Sequence, residues 1–75
     1  MINPGDEKMI FSRIRDLRED NDWTQEYVAE RLGIKQTTYS KYELGKINVP
    51  AEMFMKLADL YGVSVDYLMG RTDER

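Results

Sequence analysis

The sequence predicts an all-α fold, a compact bundle of five short helices that contains a helix-turn-helix. Apolar residues recur at helical spacing along five segments, and a glycine or a proline marks most of the boundaries between them. The length of 75 residues allows one domain with one small core. With 41% hydrophobic and 33% charged residues, the chain is expected to fold rather than to remain disordered.

The first two helices are predicted from an apolar stripe and from residues that suit helix ends. Helix one is expected over about residues 7–19, where Asp6 and Glu7 suit the positive end of the helix dipole. Helix two is expected over about residues 25–32, with Thr24 as its N-cap. The inward-facing apolar residues of these two helices are Ile10, Phe11, Ile14, Leu17, Val28, Ala29 and Leu32.

The remaining chain divides into three further helices. Helix three is expected over about residues 36–44, and helix four over about residues 51–61. A fifth helix over about residues 65–69 begins after a Ser64 cap, and residues 71–75 are expected to form a frayed tail. Residues 1–75 therefore form one predicted domain, whose core spans about residues 7 to 70.

Helix three has one polar face and one aromatic face. At 100° per residue, Tyr39 and Tyr42 lie on the same side, and we expect both to pack into the core rather than to stack on bases. The opposite face carries an amide, hydroxyls and a lysine, the groups that pair with base edges in the major groove. Its residues are Gln36, Thr37, Ser40, Lys41 and Leu44.

The charge of the chain is uneven. The formal net charge is -3, which by itself argues against a polyanionic partner. Residues 34–48, however, hold Lys35, Lys41 and Lys46 against Glu43 alone. A nucleic-acid contact is therefore to be sought in and around helix three.

The composition also excludes several kinds of chemistry. The chain has no Cys and no His, so the thiolate ligands and the commonest acid/base group are absent. No glycine-rich phosphate loop or activated-serine motif is present, and the Asp and Glu residues lack metal-ligand spacing. No apolar run approaches the roughly 18 residues that span a bilayer, and no signal peptide is recognised. We expect a cytoplasmic protein that is not an enzyme and has no metal, cofactor or small-molecule ligand.

Helices two and three form a predicted helix-turn-helix. They are joined by Gly33, Ile34 and Lys35, and two short helices across a three- or four-residue turn with a glycine follow that plan. The small side chain of Ala29 lets the two helices approach closely. Helix three would then enter the major groove with its N-terminal residues deepest.

A longer pattern covers residues 11–70. It comprises Thr24-Gln25-Glu26, Ala29-Glu30-Arg31-Leu32-Gly33-Ile34, Tyr39-Ser40-Lys41-Tyr42-Glu43-Leu44-Gly45-Lys46, Pro50, Lys56-Leu57-Ala58 and Val63-Ser64-Val65-Asp66-Tyr67-Leu68-Met69-Gly70. In order and spacing it resembles the Cro/phage-repressor (XRE-type) helix-turn-helix family. The resemblance implies a lambda-repressor-like five-helix bundle, binding to double-stranded operator DNA, and usually a symmetric homodimer.

The resemblance also implies roles for particular residues. Gln36 and Thr37 match the base-reading start of the recognition helix, and Lys41 matches a base- or phosphate-contacting position. Ser40 lies on the same face. Leu44 departs from the family pattern, because a polar residue is common there.

Other positions match contacts with the DNA backbone. Gln25 matches a glutamine that holds a phosphate, and Lys46 and Asn48 match a loop that touches the backbone. Arg18 and Glu43 match a buried ion pair whose arginine also faces a phosphate. Lys35 stands where many members have a Ser or Thr N-cap, so that its side chain either leaves the helix start uncapped or meets a phosphate.

Two alternatives remain open. The polar face of helix three is either a DNA contact or an ordinary solvated face, and the chain is either a transcriptional regulator or a protein-interaction module such as an antitoxin. Val65, Tyr67 and Met69 crowd apolar groups onto the short fifth helix. We expect them to form a dimer interface; packing onto helix one would instead leave a monomer.

Overall fold

The computed structural model describes residues 10–75, and in this range the chain forms five α-helices without a β-strand. None of these helices is long and apolar enough to cross a membrane. The prediction of an all-helical bundle is confirmed. The helices are α1 (Ser12–Asp20), α2 (Gln25–Leu32), α3 (Gln36–Glu43), α4 (Ala51–Tyr61) and α5 (Val65–Leu68).

Helix α1 begins later than the sequence predicts. Residues Ile10 and Phe11 are not helical, and Phe11 caps the helix with φ -96° and ψ 84°. The ring of Phe11 packs edge-on against Phe54, with 4.9 Å between the centroids. Phe11 therefore packs against the core from a non-helical position, and α1 begins only after it. The predicted acidic start at residues 6 and 7 lies outside the described residues.

The starts of α2 and α5 follow their sequence signals. The hydroxyl of Thr24 accepts a hydrogen bond from the backbone N–H of Tyr27 at 3.0 Å, and that of Ser64 accepts one from Tyr67 at 3.0 Å. Both predicted caps are thus confirmed. Helices α3 and α5 each end one residue earlier than predicted, with Leu44 and Met69 as their C-caps.

One core holds the five helices together, and each helix contributes one side chain that is almost completely buried. Tyr39 and Tyr42 both lie in this core, which confirms the predicted inward face of α3. Burying each large apolar side chain contributes about 1.5–3 kcal/mol, so these five fix how the helices pack. The five are Ile14, Val28, Tyr39, Leu57 and Leu68.

The C-terminal residues are not the predicted frayed tail. Arg13 of α1 donates hydrogen bonds to the carbonyl oxygens of Tyr67, at 2.8 Å, and of Thr72, and it also pairs with Asp73. The backbone N–H of Ser64 donates to the carbonyl of Arg75 at 3.1 Å. Arg13 thus holds residues 71–75 against α1 and α5. The sequence contains no periodic signal for such a contact, because it joins residues about 60 positions apart.

Candidate nucleic-acid interface

The turn between α2 and α3 sets the angle at which the two helices meet. Gly33 takes the left-handed conformation with φ 74°, which a residue with a Cβ adopts only at a cost. The N–H groups of Gly33 and Ile34 donate to the carbonyls of Glu30 and Ala29, which closes the end of α2. Ala29 is buried at this corner. Helix α3 therefore lies close across α2 with its polar side outward.

This arrangement creates an open groove of about 390 Å³ on the surface of the bundle. It is built from the first residue of α2, the polar face of α3 and the loop that follows α3. Six of the eight residues predicted to contact DNA line it, and Lys35 and Asn48 lie exposed outside its lining. The lining residues are Gln25, Gln36, Thr37, Ser40, Lys41, Leu44 and Lys46.

Six of the seven residues that line the groove have polar or cationic side chains. Lys41 and Lys46 are the charged residues among its lining, and no carboxylate belongs to that lining. Lys35 is also exposed and makes no capping hydrogen bond to the start of α3. The local surface therefore has the opposite sign to the net charge of the whole chain. A cationic concave surface of this kind suits a phosphate backbone.

A buried ion pair joins α1 to α3 behind the groove. Arg18 Nε donates to Glu43 Oε2 at 2.7 Å, and Arg18 Nη2 donates to Glu43 Oε1 at 3.1 Å. The two side chains are 14% and 4% exposed, respectively. Arg18 Nη1 also donates to the carbonyl of Trp23 at 2.9 Å. The two-point geometry fixes the orientation of both side chains.

This ion pair extends to the groove through Gln25. The side-chain amide of Gln25 donates from Nε2 to Glu43 Oε1 at 3.1 Å. Because the carboxylate only accepts hydrogen bonds, the amide nitrogen of Gln25 must face inward. The second N–H and the carbonyl oxygen of the amide remain for the groove. The sequence did not predict this hydrogen bond, since no local pattern pairs the start of α2 with the end of α3.

The environment of Glu43 shifts its pKa and those of neighbouring groups. Burial opposes ionisation of Glu43, but the hydrogen bonds from Arg18 and Gln25 outweigh it and lower the pKa of the carboxyl. The hydrogen bond to Glu43 raises the pKa of Arg18. Burial raises the pKa of Tyr39 far above its ordinary value and that of Tyr61 to about 12. At neutral pH the cluster thus holds a carboxylate, a guanidinium and two neutral phenols.

The residues of the predicted dimer interface occupy different environments. Val65 and Tyr67 are partly buried against the core, whereas Met69 is exposed. The guanidinium carbons of Arg13 and Arg75 lie 4.1 and 5.3 Å from the centroid of the Tyr67 ring. Much of Tyr67 is thus covered by its own chain, and the more accessible apolar surface at this end comes from Met69 and Ile10.

Sequence comparison relates the chain to helix-turn-helix proteins. A family sequence model described as helix-turn-helix matches residues 14–68. The chain is 41% identical over 66 residues to the uncharacterized HTH-type transcriptional regulator YobD of Bacillus subtilis (strain 168), covering 88% of this chain and 59% of YobD. It is 40% identical over 65 residues to the cryptic phage CTXphi transcriptional repressor RstR of Vibrio cholerae, covering 87% of this chain and 59% of RstR. The chain thus spans about three fifths of the length of these relatives.

Structural comparison agrees on the fold. The structure matches the crystal structure of the P22 c2 repressor protein in complex with synthetic operator 9T in the presence of Tl+. The TM-score is 0.73 with 22% sequence identity, and the match covers 81% of this chain and 94% of the P22 chain. Since the family sequence model spans α2 to α5 and most of α1, the chain belongs to the Cro/phage-repressor (XRE-type) helix-turn-helix family.

Proposed function

We propose that this chain is a sequence-specific DNA-binding transcriptional regulator of the repressor type, acting in the cytoplasm and without enzymatic activity. The observation that carries the proposal is the groove, in which the amide, hydroxyl and lysine groups of α3 share one open surface with Gln25 and Lys46. These groups are suited to base edges and phosphates.

The dimensions of α3 suit the major groove of DNA. An α-helix with its side chains is about 10–12 Å in diameter, and the major groove of B-DNA is about 12 Å wide. In this docking, Gln36 and Thr37 enter deepest and contact bases. Gln25 and Lys46 flank the helix on two sides and contact phosphates, while Lys35 and Asn48 extend the backbone contact beyond the groove lining.

The buried Arg18–Glu43 pair supports this role by holding the reading helix and the phosphate contact in register. One carboxylate accepts hydrogen bonds both from Arg18 on α1 and from Gln25 on α2, while its own backbone belongs to α3. A change in the orientation of α3 would break these bonds. The surface presented to DNA is therefore preorganised, which lowers the entropic cost of binding.

We further propose that the protein binds a palindromic operator as a homodimer. One small module covers only roughly 600–1,000 Å² on DNA, which gives limited discrimination, and a twofold dimer doubles the contact. The contact surface would lie around α5, away from α3, at Val65, Tyr67 and Met69. Because Val65 and Tyr67 are partly buried against the core of their own chain, Met69 carries most of the exposed surface of this expected interface.

The decisive experiment selects bound sequences from a random DNA pool at moderate salt and then measures affinity against salt concentration. We expect a defined consensus and a log–log slope of about -0.9 for each phosphate neutralised. The Lys46→Ala variant should weaken all sequences alike and reduce the slope by about 1. Lys56→Ala is the matched control, since Lys56 lies outside the groove lining. A protein that selects no DNA sequence would instead favour an interaction module, to which the net charge of -3 is better suited.

The dimer is tested separately with Val65→Glu on a full palindrome and on an isolated half-site. A dimer predicts a large loss of affinity on the palindrome and little change on the half-site. Equal effects on the two DNAs, with unchanged folding by circular dichroism, would show that the protein binds as independent monomers.

A further inference from the structure

One apolar side chain lies within the polar groove. Leu44, the C-cap of α3, is 56% exposed and lines the groove together with Ser40 and Lys41. Of the large hydrophobic side chains that are exposed within residues 10–75, Leu44 alone belongs to this lining. A single exposed leucine is ordinary in itself. Its position on a surface built of amides, hydroxyls and lysines is what requires a chemical explanation.

The helical geometry places Leu44 in the middle of the polar face. Relative to Gln36, successive 100° rotations put Ser40 at about 40°, Leu44 at about 80° and Lys41 at about 140° around the helix axis. Leu44 lies about 12 Å along the axis from Gln36. With a rise of 3.4 Å per base pair, it meets DNA no more than about four base pairs from the base that Gln36 contacts.

Among the base edges in the major groove, only one offers an apolar group to a side chain at this position. A leucine side chain neither donates nor accepts hydrogen bonds, so it cannot recognise the polar edge of any base. Among the four bases, thymine alone carries an apolar group on its major-groove edge, the C5-methyl group. Contact between two apolar groups removes both from water, whereas a leucine against cytosine N4 or guanine O6 leaves a polar group without a partner.

We propose that Leu44 is a specificity-determining residue that recognises the C5-methyl group of a thymine in each half-site. This inference rests on the proposed DNA-binding function and adds a feature of the DNA itself. The selected consensus contains a thymine within about four base pairs of the base read by Gln36, and the methyl group of that thymine contributes to affinity.

The test uses deoxyuridine in place of each thymine of the selected half-site, one position at a time. Uracil keeps the pairing edge and O4 of thymine and lacks only the methyl group. Since burial of one such group is worth about 0.8 kcal/mol, wild-type protein should lose about fourfold in affinity at one position. The Leu44→Ala variant should bind the thymine and uracil DNAs equally well at that position.

The control is Lys41→Ala, which alters the same face of the same helix without removing the apolar group. It should weaken binding to both DNAs and keep the fourfold ratio between them. Leu44 is half-exposed, so Leu44→Ala is expected to fold, and a thermal melt checks this.

A uracil penalty that persists in Leu44→Ala would overturn the inference. So would a loss of affinity in that variant with no thymine–uracil difference in the wild type, because Leu44 would then contact only the sugar–phosphate backbone. A wild-type protein that selects no DNA sequence would instead overturn the proposed function. That outcome differs from the two above, which overturn only the inference about Leu44.

Discussion

The Glu43→Ala substitution removes one partner of the buried ion pair and leaves the guanidinium of Arg18 without its carboxylate. Removing one side of a buried pair costs about 3–5 kcal/mol, because the remaining charge stays desolvated. Arg18 keeps its hydrogen bond to the carbonyl of Trp23 and is 14% exposed. We therefore expect the lower end of this range, a loss of about 3 kcal/mol in the free energy of unfolding.

The size of this loss is large for a domain of this length. A chain of 75 residues is expected to have a free energy of unfolding of about 4–11 kcal/mol. At about 4–8 °C for each kcal/mol, the melting temperature should fall by roughly 12–24 °C. The variant should still fold at low temperature, which keeps the measurement possible.

Urea unfolding provides the assay, followed by both far-ultraviolet circular dichroism and the fluorescence of Trp23, the single tryptophan of the chain. Coincident transitions by the two probes would justify a two-state free energy. The matched control is Glu19→Ala, which breaks the Arg15–Glu19 pair of α1. Those side chains are 65% and 50% exposed, so the expected change is within about ±0.5 kcal/mol. If Glu43→Ala lowers the free energy of unfolding no more than Glu19→Ala does, the argument that burial makes this pair important for stability is refuted.

Four further measurements test other parts of the structure. Because folding lowers the pKa of Glu43, its contribution is present above the ordinary glutamate pKa and is lost as the pH falls through the folded-state value. The melting temperatures of wild type and Glu43→Gln should accordingly converge in acid, and a gap that widens in acid would reverse the assigned sign. Gly62→Ala should lower the free energy of unfolding in urea by about 1–2 kcal/mol, because φ is +66° and a residue with a Cβ is strained there. No atom lies within 4 Å of the added Cβ, so no clash adds to this loss. An unchanged urea midpoint would mean that the backbone relaxes. Arg13→Ala should release residues 71–75, seen as faster trypsin cleavage after Arg71, whereas unchanged cleavage would show that the contacts of Arg13 do not hold the segment. Gln36→Ala should cost about 1–3 kcal/mol on the selected site and relax one base position, and an unaltered consensus would exclude base reading by Gln36.

Local chemistry was sufficient to predict most helix boundaries from the sequence. A hydroxyl at Thr24 or Ser64 satisfies a backbone N–H within the next three residues, and Gly33 adopts a positive φ without a steric cost, so these signals act over one turn. The aromatic side of α3 was predictable for the same reason, because the helical period alone places Tyr39 and Tyr42 together. The start of α1 was not predictable from the sequence, because the burial of Phe11 against Phe54 depends on a helix more than 40 residues away.

The candidate site, too, was predictable from the sequence in part. The sequence by itself determined which groups α3 presents, since the composition of that face follows from spacing along one helix. Only the tertiary structure decided which side chains lie behind and beside this face of α3. The Gln25–Glu43 hydrogen bond and the closure of residues 71–75 by Arg13 both join segments brought together by packing of the core. Such contacts leave no periodic trace in the sequence, because hydrophobic burial fixes the relative positions of the helices and the polar side chains then pair with whatever group that packing brings within reach.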